Sequence, residues 1–358
     1  MSKALSERFV SNISKMKLTD EQRERYSRML ALRDFNEDDM KAIMNTTIAV
    51  VGAGGLGSPA LRLLTAIGFG KIRIIDRDIV ELSNIQRQTV YNTEDIGEPK
   101  VEAASTNLKL VNPNVEFEPI CISIGEDNAI ELLQGSNIIL DGLDSFRARR
   151  AVNRASIALG IPYIFAGAVE YYANLSTFVP GKTGCLNCVM GEAEDNPENT
   201  CANVGVTPTL LSLVAAVEVN EAIRIATGRN PTLENRLMTI DSSSLTFDFF
   251  EIGKADDCPV CSKEKQERTP TEEELSVTIL CSGNFNVSPT QIVNLDIEEL
   301  ARRLSSLYKI KKTSRLILVR LPSGEKITLM ASGSAIIKGV NTAEEAIRLY
   351  ETILQKNT

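Results

Sequence analysis

Four cysteines stand in two C-x2-C pairs, Cys185 and Cys188 in GCLNC and Cys258 and Cys261 in DCPVC. Two thiolate pairs at that spacing suit a tetrahedral site for a borderline-soft cation. Four thiolates also leave no coordination position open for substrate, so the metal expected at Cys185, Cys188, Cys258 and Cys261 is structural Zn2+. A second group of residues suits phosphate. Gly52, Gly54 and Gly57 form G-x-G-x-x-G between the apolar run IAVVG and a helix-like segment, and Asp76 ends the next apolar run, IRIID. The glycines allow a tight turn and close approach of backbone N–H groups to phosphate, and the acid is placed for ribose hydroxyls. A strand–helix turn with no ligand is the plain alternative, and the motif alone does not separate a redox dinucleotide from ATP. The stretch after it, IVELSNIQRQTVYNTEDIGEPKVEAA, carries Asn84, Arg87, Gln88 and Lys100. Two cations and amides there suit the outer phosphates of a triphosphate, whose charge must be neutralised before attack at the α-phosphorus. A solvated loop with incidental charges is the competing account.

The chain has 358 residues and no histidine, so chemistry that needs imidazole as base, activator or metal ligand is excluded within it. Apolar residues make up 43% and charged residues 24%, which predicts a well-filled core. Tryptophan is absent, and 47 acidic against 39 basic residues give a net charge of -8, so no nucleic-acid partner is expected. No apolar run reaches membrane-spanning length and the N-terminus lacks a signal-peptide core; the expected location is the cytoplasm, with no membrane partner. That setting disfavours disulfides.

These residues need an α/β frame to hold them. Residues 18 to 44 have helical spacing, with Thr19 as a cap. From Ile48, apolar runs alternate with helix-like segments (IAVVG, IRIID, VEFEPICIS, NIILDGLD, PYIFAG), which predicts a parallel, Rossmann-like sheet flanked by helices on both faces. YYANLSTFVP and TFDFFEI suggest later strands, and TPTLLSLVAAVEVNEAIRIATG a long apolar helix. Residues 262–275 are charged and almost free of apolar side chains, as in a linker. Residues 276–358 suggest a small C-terminal α+β domain, in the order strand, helix, two or three strands, helix. The expected division is therefore an N-terminal helical segment over 1–47, an ATP-binding domain over 48–261, the linker, and the C-terminal domain.

GAGGLGS, the acid of IIDRD, SNIQRQ, GEPKVEAA and DGLDS together resemble, in order and spacing, the adenylation domain of the ThiF/MoeB/HesA and ubiquitin-activating E1 superfamily, over roughly Leu18 to Cys261. The resemblance implies an ATP-dependent adenylyltransferase acting on the C-terminal glycine of a ubiquitin-like or sulfur-carrier β-grasp protein ending in Gly-Gly. An acyl-adenylate forms and pyrophosphate leaves. It implies that Gly52, Gly54, Gly55 and Gly57 lie against the nucleotide and that Asp76 holds the ribose. It also implies phosphate contacts from Ser83, Asn84, Arg87 and Lys100, with Ile85, Gln86, Gln88 and Ser145 in the same nucleotide-binding set. Asp144 would hold Mg2+. Arg28 matches an arginine that reaches a neighbouring subunit's site, which implies a homodimer; without the resemblance Arg28 would pass for a solvated helix charge. A carrier carboxylate is already ionised at neutral pH, so this reaction needs cations and a metal but no imidazole.

Cys201, in NTCANVGV, matches a cysteine that in some superfamily members accepts the carrier as a thioester or takes part in persulfide sulfur transfer. A thiolate attacking an acyl-adenylate is sound chemistry, and a small core filler is the competing role. Cys121 and Cys281 suggest packing positions. The output is either a thiocarboxylate, made with a sulfurtransferase, or conjugation through an E2-like protein. The C-terminal domain lacks a rhodanese-like active-site loop. Two other classes compete: an NAD(P)-linked oxidoreductase, in which SNIQRQ and the cysteine pairs have no role, and a non-catalytic scaffold, which has no use for Arg28, Arg87, Lys100 and Asp144 together.

Overall fold

The computed structural model describes residues 17–191, 195, 201–262, 275–279, 284–289, 293, 295–312 and 316–354. Eight strands form one sheet in the order β3-β2-β1-β4-β5-β6-β7-β8. They are β1 (Thr47–Val51), β2 (Lys71–Ile75), β3 (Glu116–Ile120), β4 (Ile138–Asp141), β5 (Tyr163–Val169), β6 (Tyr172–Phe178), β7 (Arg236–Asp241) and β8 (Thr246–Glu251). β1 to β5 are parallel, each joined to the next through a helical crossover. Strand β1 shows why both faces are covered. Ile48 and Val50 enter one apolar cluster and Ala49 and Val51 the other, because side chains alternate along a strand.

The sheet differs from the expected parallel one on its far side. β5, β6, β7 and β8 pair antiparallel. The connection from β5 to β6 is only Glu170 and Tyr171, too short for anything but a reversal. The last strand, β8, is exposed at all six residues, so the two-sided cover stops before the sheet does.

The helix Pro208–Ala226 lies across β5 and the glycine loop. Thr207 caps it, accepting from the Leu210 amide at 3.4 Å, and Pro208 takes the first position, where a missing N–H costs nothing. The helix Gly57–Ile67 leaves β1, and Asn112 Nδ2 binds both the Thr65 carbonyl and the Tyr26 hydroxyl at 3.0 Å. Tyr26 thus sits at the end of that helix remote from the glycines.

The second sheet has six strands in the order β11-β12-β13-β14-β10-β9. These are β9 (Leu275–Ile279), β10 (Phe285–Pro289), β11 (Lys309–Lys312), β12 (Leu316–Arg320), β13 (Lys326–Met330) and β14 (Ala335–Lys338). Helices Ile297–Ser305 and Ala343–Leu354 complete its core with Val287, Ile317, Val319, Ile327 and Ile337. There are more strands than the sequence pattern suggests. β11 is an exposed, lysine-rich edge with no apolar alternation to announce it.

Candidate nucleotide site and cysteine cluster

The glycine loop turns at the carboxyl end of β1, where parallel α/β sheets hold their ligands. Gly52 has φ 95°, in the left-handed region, and a Cβ there would lie 2.3 Å from the Gly142 carbonyl oxygen. A Cβ on Gly57 would lie 1.8 Å from the Gly52 carbonyl oxygen. Three backbone segments therefore touch directly: the loop, the start of the helix Gly57–Ile67, and the chain leaving β4. A Cβ on Gly55 would meet Leu211 at 2.8 Å, so the helix Pro208–Ala226 presses the loop from the other side. Tyr91, which the sequence reading passed over, donates its hydroxyl to the Ala53 carbonyl at 2.8 Å.

Asp76 follows β2. Its carboxylate accepts the Ala53 and Asp78 amides, each at 2.7 Å, and is held facing the loop. Burial raises its pKa, and the nearby Lys100 charge works the other way. Lys100, 5% exposed, is the most enclosed cation of the nucleotide-binding set, and its Nζ lies 3.0 Å from Asp78 Oδ2. Burial pulls the Lys100 pKa down, but the carboxylates of Asp78 and Asp76 outweigh it and the net shift is upward. Burial likewise opposes the charged form of Asp78, but Lys100 and Arg77 prevail and lower its pKa. The lysine is thus a fixed charge at the strand ends. Asp78, its anchor, was legible in IIDRD as a second acid but has no motif role to mark it.

The turn after Asp76 carries the next group. Asn84 and Gln88 are buried, while Ser83 and Gln86 are exposed. The Arg87 guanidinium folds back to donate to the Ser83 carbonyl at 2.7 Å, and Ile85 is half-buried beside it. Gln88 Nε2 comes within 4.0 Å of where a Cβ on Gly54 would lie, which brings this turn against the glycine loop. Asp144 is exposed in the loop after β4, and Ser145 caps the helix Phe146–Leu159. Beneath them is a buried network absent from the sequence reading. Arg149 donates to Asp141 at 3.1 Å and to the carbonyls of Leu143 and Ala166 at 2.6 and 2.8 Å, and Tyr163 donates to the same Asp141 carboxylate. It fixes the loop that presents Asp144.

Two further residues named in the sequence are not among these contacts. Arg28, on the helix Ser27–Leu30, is exposed and belongs to the Tyr26 end of the molecule. Cys201 begins the short helix Cys201–Val204, and its side chain lies outside the described residues, as does Cys281. Cys121 is half-buried next to Met330, and burial raises its pKa strongly.

The two cysteine pairs, distant in sequence, meet. The sulfurs of Cys185, Cys188, Cys258 and Cys261 all lie within 4.8 Å of one another. Separations are 3.9 Å for Cys185–Cys188, 3.8 Å for Cys185–Cys258 and 3.4 Å for Cys188–Cys261. Tetrahedral Zn–S bonds of about 2.3 Å put sulfurs about 3.8 Å apart, so the donor set and its spacing fit zinc. The Ala255 amide points at Cys188 Sγ from 3.5 Å, a donor suited to a thiolate.

Exposed apolar side chains gather at the other edge of the sheet. Phe247 and Phe249 lie on one face of β8 and Phe250 on the other, with Tyr172 at the start of β6 and Tyr171 and Leu245 in the turns at the same strand ends as the glycine loop. Among the described residues, no helix is long and apolar enough to cross a membrane.

Known proteins resemble the chain in sequence and in fold. The profile of the ThiF family matches residues 26–260. The chain is 32% identical over 243 residues to the SAMP-activating enzyme E1 of Haloferax volcanii, covering 68% of this chain and 90% of that one. It is 29% identical over 338 residues to the sulfur carrier protein ThiS adenylyltransferase of Bacillus subtilis, covering 91% and 98%. Among solved structures, E. coli MccB with ATP superposes with a TM-score of 0.60 at 22% identity over 74% of this chain and 82% of that one, a likeness of fold.

Proposed function

The chain belongs to the ThiF family, and on that premise we propose that it uses ATP to adenylate the C-terminal glycine carboxylate of a ubiquitin-like or sulfur-carrier protein, releasing pyrophosphate. The observation that carries this is the buried Lys100, held in its charged form by Asp78, beside the loop-facing Asp76 at the strand ends that also hold the glycine loop. A carboxylate and a triphosphate repel each other, and a fixed cation in a site of low dielectric offsets that repulsion without reorganising.

Each group then has a task. The glycine loop lets backbone N–H groups reach the phosphates, Asp76 accepts from the ribose, and Lys100, Asn84 and Arg87 neutralise the triphosphate. Asp144 fits a Mg2+ carried in with the nucleotide, which would supply positive charge to the departing pyrophosphate. No proton transfer is needed at the attacking carboxylate, consistent with a chain free of histidine. The four cysteines hold a structural zinc that ties the loop after β6 to the end of the adenylation domain, residues 48–261. The charged linker and the C-terminal domain, residues 276–358, follow it. The exposed aromatic strip on β8 is the docking surface for the carrier protein. It lies on the antiparallel extension, and its upper end shares the strand ends of the nucleotide site.

Arg28 acts in a partner copy's site. The helix Gly57–Ile67 separates it from its own glycine loop by 11 residues, about 16 Å of helix. That separation, with the match of Arg28 to an arginine that reaches a neighbouring subunit's site, supports a homodimer in which each copy supplies this cation to the other.

After adenylation, Cys201 accepts the carrier: its thiolate sulfur forms a bond to the glycine carbonyl carbon and AMP departs with the bonding pair. Intact-mass analysis of a carrier ending in Gly-Gly, incubated with the chain, ATP and magnesium, tests the proposal. The expected species are a carrier bearing AMP and, on the enzyme, a thiol-labile carrier adduct. Cys201→Ser is expected to abolish the labile adduct while leaving the adenylate. A carrier recovered unchanged would overturn the functional reading; an adduct that persists in Cys201→Ser would overturn the role of Cys201.

A further inference from the structure

The C-terminal domain meets the rest of the chain at the rim of the nucleotide site. Leu316, Met330 and Ile336 form a small cluster against Ile79 and Cys121. Ser334 Oγ donates to the Cys121 carbonyl at 3.4 Å, just beyond the end of β3. Lys338, the last residue of β14, places Nζ 3.0 Å from Glu81 Oε1.

Glu81 sits at a sensitive place. It begins the 3-10 turn Leu82–Asn84, where its carbonyl accepts the Asn84 amide at 2.9 Å while Asn84 Oδ1 accepts the Glu81 amide at 3.0 Å. The amides of Arg87 and Gln88 in turn donate to the Asn84 carbonyl at 3.0 and 2.9 Å. Lys338, Glu81, Asn84 and Arg87 are therefore linked by successive bonds. A bare carboxylate at Glu81 would also add negative charge beside a site meant for a polyanion.

We propose that the C-terminal domain is a positioning part of the nucleotide site, with Lys338 as the positioning residue: it holds and neutralises Glu81 at the head of the turn, and so fixes the turn that presents Ser83, Asn84 and Arg87. This rests on the reading of that turn as phosphate-binding. Both partners are about a third exposed, at 38% for Lys338 and 32% for Glu81, so the pair is a tuning device. Its loss corresponds to about two- to fivefold in affinity, the range of partly exposed ion pairs.

The test uses the full chain with Lys338→Ala, Lys338→Arg and the double variant Lys338→Ala/Glu81→Gln. Pyrophosphate exchange gives KM for ATP and kcat, and hydrogen exchange reports the amides of residues 82–88. Lys338→Ala is expected to raise KM for ATP by about two- to fivefold at unchanged kcat, and to speed exchange over 82–88. Lys338→Arg is expected to restore both, and the double variant to regain part of the KM because the unpaired charge is gone. Unaltered KM and amide exchange in Lys338→Ala would overturn the proposal, as would a defect that Lys338→Arg leaves in place. The amide readout needs neither carrier nor turnover. It decides the coupling even where wild-type pyrophosphate exchange is absent, the outcome that would instead overturn the adenylation reading.

Discussion

At Gly57 one methyl group is too many. A Cβ 1.8 Å from the Gly52 carbonyl oxygen would push the glycine loop off the helix N-terminus. Gly57→Ala is expected to destabilise the fold by about 1–3 kcal/mol, measured by denaturant unfolding, and to remove ATP binding measured by calorimetry. Lys100→Met keeps the length of the side chain but removes the fixed charge, and kcat for pyrophosphate exchange is expected to fall by about 100-fold or more. The Asp78–Lys100 pair also sets a pH limit. Because the Asp78 pKa is lowered in the fold, the pair's contribution is present above the ordinary carboxylate range and is lost as pH falls through the lowered value. Residues of this kind were legible in the sequence because type and spacing alone specify them: the glycines, Asp76 and the paired cysteines. Asp78, Tyr91 and Arg149 were not, since each acts by touching a group distant in sequence (Tyr91 reaches Ala53) and nothing local marks them.

At the scale of elements, the helix Pro208–Ala226 was plain from its apolar length, but its charge burial was not. Glu221 is buried and satisfied, accepting from Thr177 Oγ1 and the amides of Thr232 and Leu233. Glu218, one turn earlier, is fully buried with neither oxygen bonded to any of the described residues. Burial raises its pKa well above the usual value, with Asp141 adding to the effect and Arg149 opposing it. An acid whose pKa is raised by folding costs stability as pH climbs past its unfolded value. Glu218→Gln, which keeps the shape, is therefore expected to raise Tm at pH 8 and to lose that advantage near pH 4; an equal Tm difference at both pH values would contradict it. The sheet offers a parallel lesson. TFDFFEI was legible as a strand, but its exposure on both faces depends on being last in an eight-stranded order that local pattern does not encode. If β8 docks the carrier, Phe249→Asp is expected to weaken carrier binding, measured by calorimetry, with ATP binding unchanged.

In the proposed homodimer, each nucleotide site takes a cation from the partner copy. Tyr26 anchors the segment bearing Arg28 at the remote end of the helix Gly57–Ile67, held through Asn112. Mixing Arg28→Ala with Lys100→Met, each inactive alone, is expected to recover about a quarter of wild-type activity, because half of randomly paired dimers carry one intact site of two. No recovery after subunit exchange would remove Arg28 from the partner's site. The parallel half of the architecture could be foreseen from apolar runs alternating with helices. The antiparallel extension and the meeting of Lys338 with Glu81 could not, because long-range contacts leave no periodic trace in a sequence.

The central claim is that fixed positive charge lets a carboxylate attack the α-phosphorus of ATP. The direct measurement is incorporation of radiolabelled pyrophosphate into ATP by the wild-type chain with magnesium and a carrier ending in Gly-Gly. The account predicts label in ATP that depends on the carrier's terminal carboxylate and vanishes when that carboxylate is amidated. Label that never enters ATP, or enters equally with the amidated carrier, would contradict it.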